Sequence, residues 1–132
     1  MSAITEPAAS ELEAIVGQAL AQARQGGATQ AEAGVSVSTG LSVTVRLGEV
    51  ETLEYQRDRG LGITVYVGGR KGSASTANLA PEAIAETVMK ALSIVRFTAV
   101  DEFAGLPDAA VMARDWPDLD LCHPWEIDAD QP

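Results

Sequence analysis

The period of hydrophobic positions changes twice along the chain. In SELEAIVGQALAQARQGG, residues 10–27, Leu12, Ile15, Val16, Ala19, Leu20 and Ala23 recur at intervals of three and four. That spacing puts them on one face of a helix. Ser10 and Glu13 have capping-box spacing, in which each side chain satisfies an orphan backbone N–H at the helix start. Gly26-Gly27 supplies a left-handed stop. From Ala31 the period falls to two: Val35 and Val37 alternate with serines, and Leu41, Val43, Val45 and Leu47 alternate with Ser42, Thr44 and Arg46. This is strand patterning with one buried face. With Gly40 as a bulge or turn, 33–47 reads as one bent strand or two short ones. Leu47-Gly48 predicts a turn into a strand over about Glu49–Arg57. Leu53 and Tyr55 share a face with Glu49 and Glu51 there, so this strand is expected to be exposed or at an edge.

The stretch RGLGITVYVGGRKGSASTAN, residues 59–78, is rich in glycine and small hydroxyl residues. Asp58-Arg59-Gly60 reads as a turn. Leu61, Ile63, Val65 and Val67 then alternate with Gly62, Thr64 and Tyr66. Gly68-Gly69 sits between two strand-like runs, where a two-residue turn needs positive φ. RKGSASTA returns as a strand of small residues. A phosphate-binding reading fails on both templates: Lys71 precedes its glycine rather than following one, and GLGITV lacks a third glycine and leads into a strand. Pro81 opens a second helix, where its missing N–H costs nothing. Ile84, Val88, Leu92 and Val95 form its stripe, and Ala80 or Asn78 stands at its cap. After Phe97 there is no sustained period, only a candidate short helix near 107–113. The prediction is α+β: a helix, three to five mainly antiparallel strands and a second helix, the two amphipathic helices packed on one sheet face, then an irregular acidic segment.

Composition adds a boundary to this picture. The net charge of the 132 residues is −10, and nine of the nineteen acids lie between Asp101 and Gln131, opposed there only by Arg114. Such a surface repels phosphate backbones and anionic lipid, which argues against nucleic-acid and membrane partners. No apolar run approaches the roughly 20 residues of a membrane span, and the first residues show no signal-peptide pattern. With Cys122 as the one cysteine, the chain reads as cytoplasmic. The expected organisation is a flexible 1–9, an α+β domain over 10–100 and an extended acidic connector over 101–132.

Candidate chemistry is sparse. His123, the only histidine, adjoins Cys122, with Asp118, Asp120 and Asp128 nearby, but the spacing matches no zinc or calcium site. Asp118, Asp120 and His123 are the residues a self-contained hydrolase would use, and solvated acids are the simpler reading. Trp116 and Trp125 flank PDLDLCHP, and with Leu119 and Leu121 they read as a contact surface for a partner or another domain. Gly72, Ser73, Ala74, Ser75 and Thr76 form a small-residue strand against which a peptide backbone could pair.

Three longer stretches carry a resemblance: EVETLEYQRDRGLGITVYVGGRKGSASTANLAPEAIAETV, ALSIVRFTAVDEFAGLPD and PDLDLCHPW, in that order. Over about residues 10–127 the chain resembles the N-terminal region of the PmbA/TldE branch of the TldD/PmbA metallopeptidase family. Ala80, where a capping residue is usual, and Cys122 depart from its pattern. The resemblance implies the first portion of a larger cytosolic protein. It implies a TldD-type partner subunit that holds zinc through H-E-x-x-x-H, and a PmbA/TldE-type subunit that is not catalytic. Together these act on unfolded peptides, including peptide antibiotic precursors and an antitoxin. No metal ligand of the family maps onto this chain, so neither a cofactor nor a catalytic residue is expected in it. A stand-alone module binding peptides at a sheet edge is the alternative reading.

Overall fold

A computed structural model describes residues 7–125. The elements follow in the order α1 (Ala9–Gln25), β1 (Gln30–Arg46), β2 (Glu49–Val67), β3 (Arg70–Thr76), α2 (Pro81–Val95) and a single 3₁₀ turn at Ala109–Val111. The three strands form one sheet in the order β1-β2-β3. The described residues divide into two compact units, one of residues 7–38 and 57–106, the other of residues 39–56 and 107–125.

The first unit holds the core. Along β1 and β2 alternate residues turn toward the helices, so Ala31, Ala33 and Val35 join Leu61, Ile63, Val65 and Val67 beneath α1 and α2. Ala19 and Ala23 of α1 and Ile84, Val88, Ala91, Leu92 and Val95 of α2 close the layer. The aromatic side chains take almost no part, as a chain with few of them requires. The opposite sheet face carries Glu32, Gly34, Ser36, Gly62, Ser73 and Ser75, all exposed. Thr64 and Ser73 face each other there with hydroxyls 2.8 Å apart. The result is a two-layer α+β sandwich, one layer helical and one a sheet with an open polar face.

α1 ends as its sequence dictates. Gly27 has φ +100°, its N–H bonds the Arg24 carbonyl, and Ala28 N–H reaches Ala23 O at 3.0 Å. That pair of bonds is the Schellman arrangement, which satisfies the last carbonyls of the helix. The start differs from the expected capping box. Ala8 is the N-cap, no side chain caps it, and Ser10 already lies inside the helix. α2 likewise starts from an uncapped Ala80, while Asn78 Oδ1 accepts the Ala80 N–H at 2.9 Å and orders the approach rather than the helix end. Pro81 at the first helical position reduces the need for a cap, because it brings no N–H to satisfy.

The strand bounds choose one alternative and correct one expectation. β1 is a single strand through Gly40, the first of the two readings for 33–47, whereas Asp58-Arg59-Gly60 is not a turn but the middle of β2. Neither Gly40 nor Gly60 has positive φ, whereas Gly48, Gly68 and Gly69 do. The two tight turns at 47–48 and 68–69 already reverse the chain, so Gly60 between them stays extended, as does Gly40 before the first. The candidate helix at 107–113 is only the 3₁₀ turn, with Asp108 Oδ1 accepting from Ala110 N–H at 3.0 Å.

Candidate interaction site

β3 is one edge of the sheet, as a peptide-pairing strand must be. Its two faces are unlike. Gly72 and Ala74 turn toward the helical layer, and Gly72 lies directly under α2: a Cβ there would overlap the Ala91 carbonyl oxygen and stand 2.7 Å from Val95 N. The glycine is therefore a helix-packing residue, not a ligand cradle. Ser73 and Ser75 face the open side, and the Thr76 hydroxyl accepts the Asn78 N–H at 3.1 Å.

The register sharpens which atoms the edge offers. β2 and β3 are antiparallel, pairing Val67↔Arg70, Val65↔Gly72, Ile63↔Ala74 and Leu61↔Thr76. A two-residue turn closes on a hydrogen-bonded pair, and bonded and non-bonded pairs alternate from there. The backbone groups of Gly72, Ala74 and Thr76 are thus directed to β2. Those of Lys71, Ser73 and Ser75 are directed to the sheet edge. The close Thr64–Ser73 hydroxyls fit this phase, since side chains approach most closely in non-bonded pairs.

The turn after β2 is fixed on several sides. Gly68 and Gly69 have φ of +56° and +76°, the left-handed pair of a type I′ turn. Asp101 N–H bonds Gly69 O at 2.7 Å, and Arg70 Nη1 donates to Arg96 O at 2.9 Å. Tyr66 beside it is only 7 % exposed although it starts from the open sheet face. Its hydroxyl donates to Glu32 Oε1 at 3.3 Å, and its carbonyl accepts from both the backbone N–H and the hydroxyl of Thr29. Burial first, and then the Glu32 carboxylate, push the Tyr66 phenol above its ordinary value near 10.

In the second unit, the hairpin end over 39–56 carries Val45, Leu47, Val50, Leu53 and Tyr55, all exposed. Leu47 is 96 % exposed and has φ +54°, followed by Gly48 at +79°. A non-glycine residue in that region costs roughly 1–2 kcal/mol. Arg46 and Glu51 stand 3.4 Å apart across the ribbon, an exposed pair of little stabilising value. Sequence reading marked the Leu47-Gly48 turn but not its strain. The available signal was a leucine at a position where Asn, Asp or Gly is the usual choice.

The tail residues singled out from the sequence are all open. Trp116 and Trp125 are each 80 % exposed, and Leu119 and Leu121 are likewise uncovered. Asp118 Oδ1 accepts from Asp120 N–H at 2.9 Å, which holds a local turn. His123 Nε2 lies 4.0 Å from Asp120 Oδ2, with both side chains exposed. Cys122 is exposed too. Among the described residues no group of three or more His, Cys, Asp and Glu side chains is placed to hold a metal ion. Asp128 lies outside the described residues. The donor set at 118–123 does not fit zinc, nor does it supply a buried acid and base for a hydrolase. Among the described residues no helix is long and apolar enough to cross a membrane.

Comparison with known proteins places this arrangement. Residues 31–95, from the start of β1 to the end of α2, match the family described as PmbA/TldA metallopeptidase domain 1. Metalloprotease PmbA of Escherichia coli O157:H7 is 51 % identical over 120 residues, 91 % of this chain and 26 % of that protein. A Metalloprotease PmbA homolog of Haemophilus influenzae is 42 % identical over 130 residues, 98 % of this chain and 29 % of the homolog. Among solved structures, a protein described as a modulator of DNA gyrase from Bacteroides thetaiotaomicron superposes with TM-score 0.73 at 26 % identity, over 88 % of this chain and 25 % of that one. TldE from Thermococcus kodakarensis shares the fold at TM-score 0.66 and 19 % identity, over 79 % of this chain and 23 % of its own. The chain thus spans about a quarter of the length of these relatives. The family model and the curated relatives agree: the chain belongs to the PmbA/TldD metallopeptidase family and carries that family's first domain.

Proposed function

We propose that this chain is the non-catalytic first domain of a PmbA-type subunit, working in the cytoplasm within a TldD/TldE-type zinc peptidase assembly that acts on unfolded peptides. The observation that carries this reading is the domain 1 match over 31–95 together with the PmbA-named relatives matched over 91 % and 98 % of this chain. In this reading zinc and the cleavage chemistry belong to a TldD-type partner, and this domain contributes scaffold and contact surface. Residues 10–100 are the domain proper and 101–132 an acidic connector; the expected flexible lead over 1–9 lies mostly outside the described residues, and Ala9 already belongs to α1. Trp116, Leu119, Leu121 and Trp125 on that connector are surfaces for the domains that follow or for the partner subunit. Their exposure supports this, since large apolar side chains on a solvated strap gain nothing until something covers them.

The intact mass of the native polypeptide, with zinc measured on the same sample, tests the reading. A mass several-fold above 13.8 kDa supports it, and one matching 132 residues refutes it. Cleavage of an unfolded peptide by the purified 132-residue chain, abolished by a chelator, would also refute the non-catalytic role.

One observation favours a second reading, in which the domain itself pairs an extended peptide with β3. The edge position and small side chains of that strand support it. The register selects the informative variant. Proline at Ala74 would break a bond to β2, whereas Ser75→Pro removes an edge-directed N–H and leaves the ladder intact. Peptide binding that survives Ser75→Pro in a folded protein would end this reading.

A further inference from the structure

We infer that the tip of the β1/β2 hairpin, with Leu47 as its anchor, is a docking point for the next domain of the same polypeptide. The inference rests on the reading of this chain as domain 1 of a longer protein. Leu47 combines two properties that a turn residue ordinarily keeps apart. It holds a left-handed backbone conformation, which penalises a leucine, and its side chain is 96 % exposed, so nothing among the described residues compensates. Val45 and Val50, two and three residues away along the chain, are exposed as well. A two-stranded ribbon without a covering layer is marginal in water, so this end of the hairpin lacks what the other end receives from α1 and α2.

Three observations choose the occupant. Residues 107–125 belong to the same compact unit as the hairpin end, so the tether runs within the unit that holds the tip. This chain spans only about a quarter of its curated relatives, and on the first-domain reading the remaining length lies in the domains that follow. A tethered domain binds at an effective concentration that short linkers raise to the millimolar range, so even a small apolar contact suffices. A second copy of this chain is the poorer candidate. Each copy carries a net charge of −10, and Glu49, Glu51 and Glu54 on the ribbon would meet their own kind with only Arg46 to offset them.

The test compares thiol labelling at the tip in two lengths of the protein. Leu47→Cys is introduced, with Cys122→Ser, into the 132-residue chain and into the full-length polypeptide, and the labelling rate by N-ethylmaleimide is followed at the residue-47 peptide by mass spectrometry. The expected result is labelling at least ten-fold slower in the full-length protein, alone and without a second subunit. A companion variant, Leu47→Asn, should raise the unfolding midpoint of the short chain and lower that of the full-length protein. Equal labelling in both lengths overturns the inference while leaving the domain 1 reading intact. So does protection that appears only when a TldD-type subunit is added. Protection in the short chain that grows with concentration assigns the tip to a second copy and overturns it as well. A native polypeptide of 132 residues removes the occupant and refutes the underlying reading directly.

Discussion

β2 runs between two turns of the same kind and opposite circumstance. At one end Leu47-Gly48 reverses the chain with φ of +54° and +79°; at the other Gly68-Gly69 does so with +56° and +76°. The second turn is glycine throughout. A Cβ at Gly69 would lie 3.0 Å from Asp101 O, and the strand leaving it must pass Gly72 under α2. Val100 and Asp101 leave little room for a side chain at Gly69, whereas Gly68, the counterpart of Leu47, is open, and glycine there serves only to remove the left-handed penalty. Around the first turn space is open, and the strained position carries a leucine. Two open left-handed positions thus carry different residues: Gly68 relieves the backbone strain, and Leu47 keeps it with an exposed apolar side chain.

Breaking the packed end should have the largest effect. Gly72→Val drives a branched side chain into the α2 backbone and should cost about 3 kcal/mol or more, read by urea denaturation. Two valines of β2 then measure the contrast within one strand. Val65→Ala, at a fully buried site, should cost about 2 kcal/mol, whereas Val50→Ala in the 132-residue chain should stay within about 0.5 kcal/mol. Equal costs would mean that the tip is already covered. At the turns themselves, Gly69→Ala should destabilise by about 1–2 kcal/mol, and Leu47→Asn should stabilise the same short chain by up to about 1 kcal/mol.

The smallest effect is one of pH. Tyr66 keeps its proton more firmly in the folded state than in the unfolded one, so its contribution is fully present below pH ~10. Above that value the unfolded chain releases the proton first, and stability declines until the raised folded value is passed. Urea midpoints measured on either side of pH 10 should show a decline that Tyr66→Phe lessens. An unchanged slope in Tyr66→Phe would remove Tyr66 from that account.

Much of the fold was legible because it rests on local rules. The spacing of Leu12, Ile15, Ala19 and Ala23 and the Gly26-Gly27 stop drew α1, and α2 followed from Pro81 and its stripe. The β2/β3 hairpin followed from alternation broken by Gly68-Gly69. The misreadings have a common cause. Asp58-Arg59-Gly60 has turn composition, but composition is permissive; the strand continues because paired neighbours hold it extended. Ser10 has capping chemistry, yet the helix begins one residue earlier from Ala8. The candidate surfaces were legible only as residue types. Trp116 and Trp125 announced a contact by being apolar in an acidic strap, while nothing in GSAST could say that Gly72 and Ala74 face a helix and that Ser73 and Ser75 direct their backbone groups to the edge.

The sequence by itself determined the order of elements, the α+β class, the concentration of acids after residue 100 and the absence of an H-E-x-x-x-H motif within these residues. These depend on periodicity and residue chemistry, which are properties of neighbours along the chain. Only the tertiary structure decided that Gly72 is a packing residue, that β3 is an edge, that Tyr66 is buried against Glu32 and that Leu47 holds its strained turn with nothing over it. Each of those depends on which distant segment arrives at a given face, and a face is filled or left open by long-range packing that no local pattern encodes.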